Sequence, residues 1–247
     1  MKMKLSLKVN RLKEITNIVS AIVDETLAVV DEEEFRIEAV DESHVAMAVL
    51  SLQANGFEEY EVEEEKVLGL KLEKLEDFLR ILDSDEMVEL TKEDGRLKAK
   101  SGNLTQVIPL LDPEGMSNPD IPDLDLSNEV KMKADFLQTG VKAANSIGDS
   151  LKVKADDMKL QFLAVEDQEQ DEIDMTIHAD QFAKYSVDED VESMFALDYL
   201  KDMISPISKK APVFLRLGAD YPMEIEYTFA EGNGKATMML APRIEKG

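Results

Sequence analysis

Two histidines, His44 and His178, and no cysteine occur in the 247-residue sequence. A thiol nucleophile and a disulfide have no residue to form them, and two lone histidines do not make a metal centre. The densest carboxylate run, EYEVEEEK (59–66), lacks the glycine turn and ordered oxygen spacing of a calcium loop and reads as a solvated edge. No GxxxxGK[ST], GxGxxG or GxSxG is present, so neither a phosphate-cradling loop nor a nucleophile elbow is expected. One catalytic alternative remains, a carboxylate-based metal hydrolase using Asp41, Glu42 and Glu166. The leading expectation is that the chain is not an enzyme and needs no cofactor or metal.

The basic residues offer a different chemistry. Lys and Arg number 28 against 53 Asp and Glu, a net charge of −25, and that sum alone opposes nucleic-acid binding. The distribution says more than the sum. Four helical segments with their flanks (8–21, 71–82, 134–146, 197–210) hold 10 basic and 7 acidic residues, whereas the rest of the chain holds 18 and 46. Lys favours helices, but so does Glu, which is depleted there. The helices are therefore expected to face phosphate, since sequence-independent contact with DNA needs only suitably placed cations. The candidates are Lys8, Arg11, Lys13, Lys71, Lys74, Arg80, Lys142, Lys201, Lys209 and Lys210.

The elements that must position these residues are written twice. Slid against itself by 125 positions, the sequence places GLKLEKLEDFL (69–79) on MFALDYLKDMI (194–204) and FRIEAVD (35–41) on LQFLAVE (160–166). Leu12 then falls on Leu137, Ile22 on Ile147 and Asp24 on Asp149. A constant offset across separate segments implies two copies of one plan, residues 1–112 and 128–247, with 113–127 as connector. In each copy a strand (Lys2 to Lys8; Val130 to Lys133) leads into a helix, whose apolar Leu12, Ile15, Val19 and Ile22 recur at spacings of three and four. Alternating strands are expected at Phe35 to Val40, Val45 to Leu52, Leu151 to Ala155, Met158 to Phe162 and Ile173 to Ile177. A second helix spans Lys71 to Leu82 or Leu197 to Ser205, and EDGR (93–96) and EGNGK (231–235) supply hairpin turns. Helices against antiparallel sheets make the fold α+β.

The connector LLDPEGMSNPDIPDLDL (110–126) carries Pro113, Pro119 and Pro122, which fix φ and withhold backbone donors, so it should run extended. Ile121, Leu124 and Leu126 give this acidic strip an apolar side. The residues alone leave two readings open, a spacer and a docking strip.

The words AVDESHVAMAVLSL (39–52), GFEEYEV (56–62), SIGDSLKV (146–153), MFALDYL (194–200), GADYPMEIEY (218–227) and LAPRIE (240–245) occur in order. On these words the chain resembles the archaeal and eukaryotic DNA sliding clamps, the proliferating cell nuclear antigen family, over essentially its full length. The resemblance implies two equal clamp domains per subunit and a head-to-tail homotrimer, a ring lined by helices and jacketed by sheets. Such a ring encircles duplex DNA, is opened by a clamp-loader ATPase, and tethers polymerase, ligase, flap nuclease and repair enzymes. It further implies that the connector covers an apolar pocket for clients with Q-x-x-aliphatic-x-x-aromatic-aromatic motifs. The pocket would comprise Val40, His44, Val45, Ile121, Leu124, Leu126, Pro222, Met239, Leu240, Ala241, Pro242 and Ile244. Subunits would pair through Leu104, Gln106, Ile108 and Leu110 on one side and Ile173, Met175 and Ile177 on the other. Lys13, Arg80 and Lys142 stand where the family is basic, while Glu14, Ser20, Asp77 and Ser205 depart from it. Pro206 is expected to end the fourth helix, leaving Lys209 and Lys210 on a loop.

Alternatives within the same fold are a checkpoint-type or heterotrimeric subunit; outside it stands an acidic partner-binding module without DNA. No apolar run approaches the roughly 18 to 20 residues that span a bilayer, and MKMKLSLKV alternates like a strand rather than a signal peptide. A soluble, cytoplasmic, nucleoid-associated protein of archaeal type is expected, nuclear if the source were eukaryotic.

Overall fold

A computed structural model describes residues 3–116, 119–122, 124–165 and 171–243. The chain forms two compact units. One takes the residues up to Asp41, Ala48–Ile121 and Thr228–Ala236; the other takes Glu42–Met47, Pro122–Tyr227 and the chain from Thr237.

The first repeat runs β1 (Met3–Lys8), α1 (Val9–Ser20), β2 (Glu25–Val30), β3 (Glu34–Val40), β4 (Ala46–Gln53), β5 (Glu59–Val62), β6 (Lys66–Lys71), α2 (Leu72–Arg80), β7 (Met87–Glu93), β8 (Arg96–Ser101) and β9 (Leu104–Pro109). The second runs β10 (Asn128–Lys133), α3 (Ala134–Ala144), β11 (Ser150–Ala155), β12 (Lys159–Val165), β13 (Glu172–His178), β14 (Lys184–Ser186), β15 (Val191–Ala196), α4 (Leu197–Ile204), β16 (Pro212–Leu217), β17 (Met223–Phe229) and β18 (Gly234–Leu240). Met3 matches Asn128, Val9 matches Ala134, Glu34 matches Lys159 and Leu72 matches Leu197, so the offset of 125 holds through most of the repeat. Only the final hairpin drifts: β9 starts at Leu104 and β18 at Gly234.

Local pattern accounts for most elements. β1 alternates buried and half-buried side chains, and α1 buries Val9, Leu12, Ile15, Ile18 and Val19 along one face. Ile22, expected on that helix, lies in the turn beyond it, where its N–H bonds the Val19 carbonyl and the chain swings toward β2. The second helices are shorter than expected, ending at Arg80 and at Ile204, the latter just before Pro206. β2 escaped the sequence reading because four of its six residues are buried, which reads as an apolar run without a period. The expected turns hold, with Asp94 at φ 43° and Gly95 at 72° between β7 and β8.

One sheet has the order β5-β1-β7-β8-β9 and another β13-β12-β11-β15; a third, of nine strands, runs β14-β10-β16-β17-β18-β4-β3-β2-β6. Phe78, Phe162 and Phe195 are among the largest fully buried side chains. Gly140 on α3 lets the helix lie on β12, because a Cβ there would stand 2.7 Å from the Phe162 ring. Beside β18, β4 is flanked at its ends by two backbone bonds, Ala241 N–H to Val45 O (2.8 Å) and Gln53 N–H to Asn233 O (3.0 Å). Each of those bonds lies inside one unit.

Candidate docking and phosphate-contact surfaces

β9 and β13 each end a sheet, so each leaves a row of backbone groups without a neighbouring strand among the described residues. Leu104 and Val107 on β9 are 40% and 51% exposed, and Val165, beside the start of β13, is 61% exposed. Ile173 and Met175 are half-buried. Ile108 and Ile177 differ: at 4% and 3% exposure they pack into their own units. Gln106 turns its amide toward the Lys74 carbonyl of α2, and Leu110, just past β9, bonds Gly95 O through its N–H (3.0 Å).

Most of the residues named for the apolar pocket are set by three segments of the second unit. Ala241 is tied to Val45 by the bond already given, next to exposed His44 at φ 56°. Leu126 reaches the Gly218–Tyr221 turn, where its Cδ2 lies 3.1 Å from a Cβ built on Gly218. Ser193 pins that turn, its hydroxyl donating to Gly218 O (3.0 Å) and accepting from Asp220 N–H (3.0 Å). Pro222 then leads into β17, whose neighbour β18 delivers Met239, Leu240, Ala241 and Pro242. Leu124, Leu126, Pro222, Ala241 and Pro242 are half-buried, whereas Leu240 has no exposed surface. Tyr221, 48% exposed beside Leu126, was missed in the sequence, where nothing marks it apart from other turn residues. In the first unit Val40 is half-buried and Ile121 exposed; Ile244 lies outside the described residues.

The helix cations divide into paired and open ones, and all the paired ones lie in the first unit. Arg11 pairs with Glu14 (2.6 Å), Arg80 with Asp77 (2.9 Å) and Lys71 with Glu25 (3.9 Å). Glu14 and Asp77 are thus the partners of neighbouring arginines. Lys13 donates to Leu82 O (3.4 Å) beyond the C-terminus of α2, where a cation is favoured by the helix dipole. An open cleft of about 380 Å³ between α1 and α2 is lined by Lys13, Asn17, Ser20, Glu76 and Arg80 among others. Lys8, Lys74, Lys142, Lys201, Lys209 and Lys210 are exposed, and their ammonium groups find no partner among the described residues. Pro206 follows α4 as expected and leaves Lys209 and Lys210 in a turn.

Of the carboxylates in the enzyme alternative, Asp41 is nearly buried, Glu42 is exposed and Glu166 lies outside the described residues. No helix is long and apolar enough to cross a membrane.

Residues 3–100 match the family model for the N-terminal domain of proliferating cell nuclear antigen, and residues 120–243 match that for its C-terminal domain. The DNA polymerase sliding clamp of Natronomonas pharaonis is 36% identical over 230 residues, covering 92% of each chain. That of Methanococcoides burtonii is 35% identical over 237 residues, covering 95% of each. A solved structure of the C-terminal region of FEN-1 bound to A. fulgidus PCNA aligns with a TM-score of 0.92 at 27% identity, over 99% of this chain and 100% of that one. The repeat, the sheet order and these matches agree: the chain belongs to the proliferating cell nuclear antigen family and is a DNA sliding clamp.

Proposed function

We propose that three copies of this chain close head to tail around duplex DNA, each β9 edge pairing with the β13 edge of the next copy. The carrying observation is that β18 lies beside β4 within the chain. β18 is the repeat counterpart of β9, and β4 that of β13, so the two free edges are the same two surfaces left unsatisfied. A heterologous contact of this kind closes into a ring when its rotation permits. The helix cations line the bore and touch phosphate, while the strip at Leu124 and Leu126, with Tyr221, Pro222 and Ala241, takes client motifs on a face.

The ring is a tether rather than an enzyme; it raises the local concentration of polymerase, ligase and nuclease at DNA. Opening it falls to an external clamp-loader ATPase, because the chain carries no nucleotide-binding loop of its own. The binding of the FEN-1 C-terminal region by the A. fulgidus clamp supports a flap nuclease among the clients. Titrating a labelled peptide of the Q-x-x-aliphatic-x-x-aromatic-aromatic type tests the client surface. Leu126→Ala should weaken it about ten-fold, as losing most of one buried aliphatic contact does. Unchanged affinity would make the connector a spacer.

A further inference from the structure

The strip behind β9 is basic and the strip at β13 is acidic. Arg96, Lys98 and Lys100 alternate on the face of β8 opposite its buried Leu97, Ala99 and Ser101. None of the three has an ion pair among the described residues. Of the carboxylates across the sheet from them, Glu89 is engaged by Lys4 (3.2 Å), and Glu93 lies opposite Arg96 without pairing. The register sets Pro109 beside Arg96, Val107 beside Lys98 and Thr105 beside Lys100. On β13, Glu172 and Asp174 are exposed on the outer face, with Asp171 just before them.

Within the chain, Ala241 N–H bonds Val45 O and Gln53 N–H bonds Asn233 O, and the proposed ring carries the same register over to its seam. With Gly234 aligned on Leu104 and Ala46 on Asp171, it sets Val107 against Asp174 and Pro109 against Glu172 of the next copy. Lys98 and Arg96 then sit one strand behind, within reach of those carboxylates across a small side chain.

We propose that the surface formed by Arg96, Lys98 and Lys100 is an electrostatic latch for Glu172 and Asp174 of a second copy of this chain. This rests on the ring reading above. The latch opposes a general effect, since copies that each carry −25 repel one another. It also gives the seam its direction, because β9 does not suit another β9 nor β13 another β13.

The opposing effects make charge reversal at fixed, low ionic strength the decisive test, read by light-scattering mass across a dilution series. Arg96→Glu with Lys98→Glu should weaken assembly about ten-fold or more. Glu172→Lys with Asp174→Lys should weaken it too, although that change lowers the net negative charge. All four substitutions on one chain should restore assembly, which a misfolded variant would not do. If the Glu172/Asp174 variant assembles as well as or better than the parent, the latch is overturned while the ring stands. A parent chain that stays monomeric at every concentration overturns both.

Discussion

The two units do the same jobs, some with the same side chains and some with different ones. In the first, Tyr60 donates to Asp31 O (2.7 Å), whose carboxylate takes the N–H groups of Glu33 and Glu34; in the second, Tyr185 donates to Asp156 O (2.7 Å), whose carboxylate takes those of Met158 and Lys159. Each tyrosine leans on a phenylalanine, Phe57 or Phe182. The cross-strand ion pair survives with its sign reversed: Lys4–Glu59 (2.6 Å) becomes Glu129–Lys184 (2.7 Å). Lys13 caps Leu82 O in the first unit, and Gln138 caps Ile204 O (3.1 Å) and Ile207 O (2.8 Å) in the second. The segment leaving each repeat crosses a strand at the same place, Leu111 N–H to Gly69 O and Arg243 N–H to Met194 O. The fold thus demands a donor, a pair or a crossing, and leaves the charge that supplies it free. That freedom is where function enters. The first unit spends Arg11, Lys13, Lys71 and Arg80 on its own structure and leaves Lys8 and Lys74 open, while all four candidates of the second, Lys142, Lys201, Lys209 and Lys210, remain open.

This asymmetry can be broken most severely at DNA. Reversing the four open lysines of the second unit to Glu should lower affinity for duplex roughly a hundred-fold between 50 and 200 mM salt and flatten the salt slope. Reversing Arg11, Lys13 and Arg80 should cost far less. Equal losses would erase the distinction between the units.

The crossing comes next. A Cβ on Gly69 would stand 2.4 Å from the Leu111 carbonyl oxygen, so Gly69→Met should destabilise by about 1–3 kcal/mol in urea unfolding. Met194→Gly, the converse change, should stay within about 1 kcal/mol.

Removing either phenol, by Tyr60→Phe or Tyr185→Phe, should cost about 1 kcal/mol. Burial pushes Tyr185 up to about 12 and raises Tyr60 as well, from an ordinary 10.0. Folding favours the neutral phenol, so this stability is whole below about pH 10 and is lost as pH rises toward 12. The Phe variants should show a shallower alkaline decline. Smallest of all, exchanging Lys4 and Glu59 should lower the melting temperature only slightly, since the second unit already carries the reversed pair and the added cost is the carboxylate set beside Glu89.

Amphipathic period and the offset of 125 made the helices, the repeat and several strands legible, because burial on one face leaves a mark every second or third residue. The tyrosine clasps were not legible, since an Asp carbonyl and a phenol 29 residues apart leave no pattern. The faces of β9 and β13 were hidden for a related reason. Alternation shows that two faces differ, not which one a helix covers, and it is the structure that buries Ile108 and exposes Val107. The Gly218–Tyr221 turn lay inside a family word, yet only its three-dimensional approach to Leu126 marks Tyr221.

The central claim is topological, and loading onto nicked circular DNA tests it most directly. A closed ring, once loaded by a clamp-loader ATPase, should stay on the circle through a high-salt wash and be lost when the circle is cut once. Retention on the cut molecule, or release from the intact circle by salt alone, would contradict encirclement.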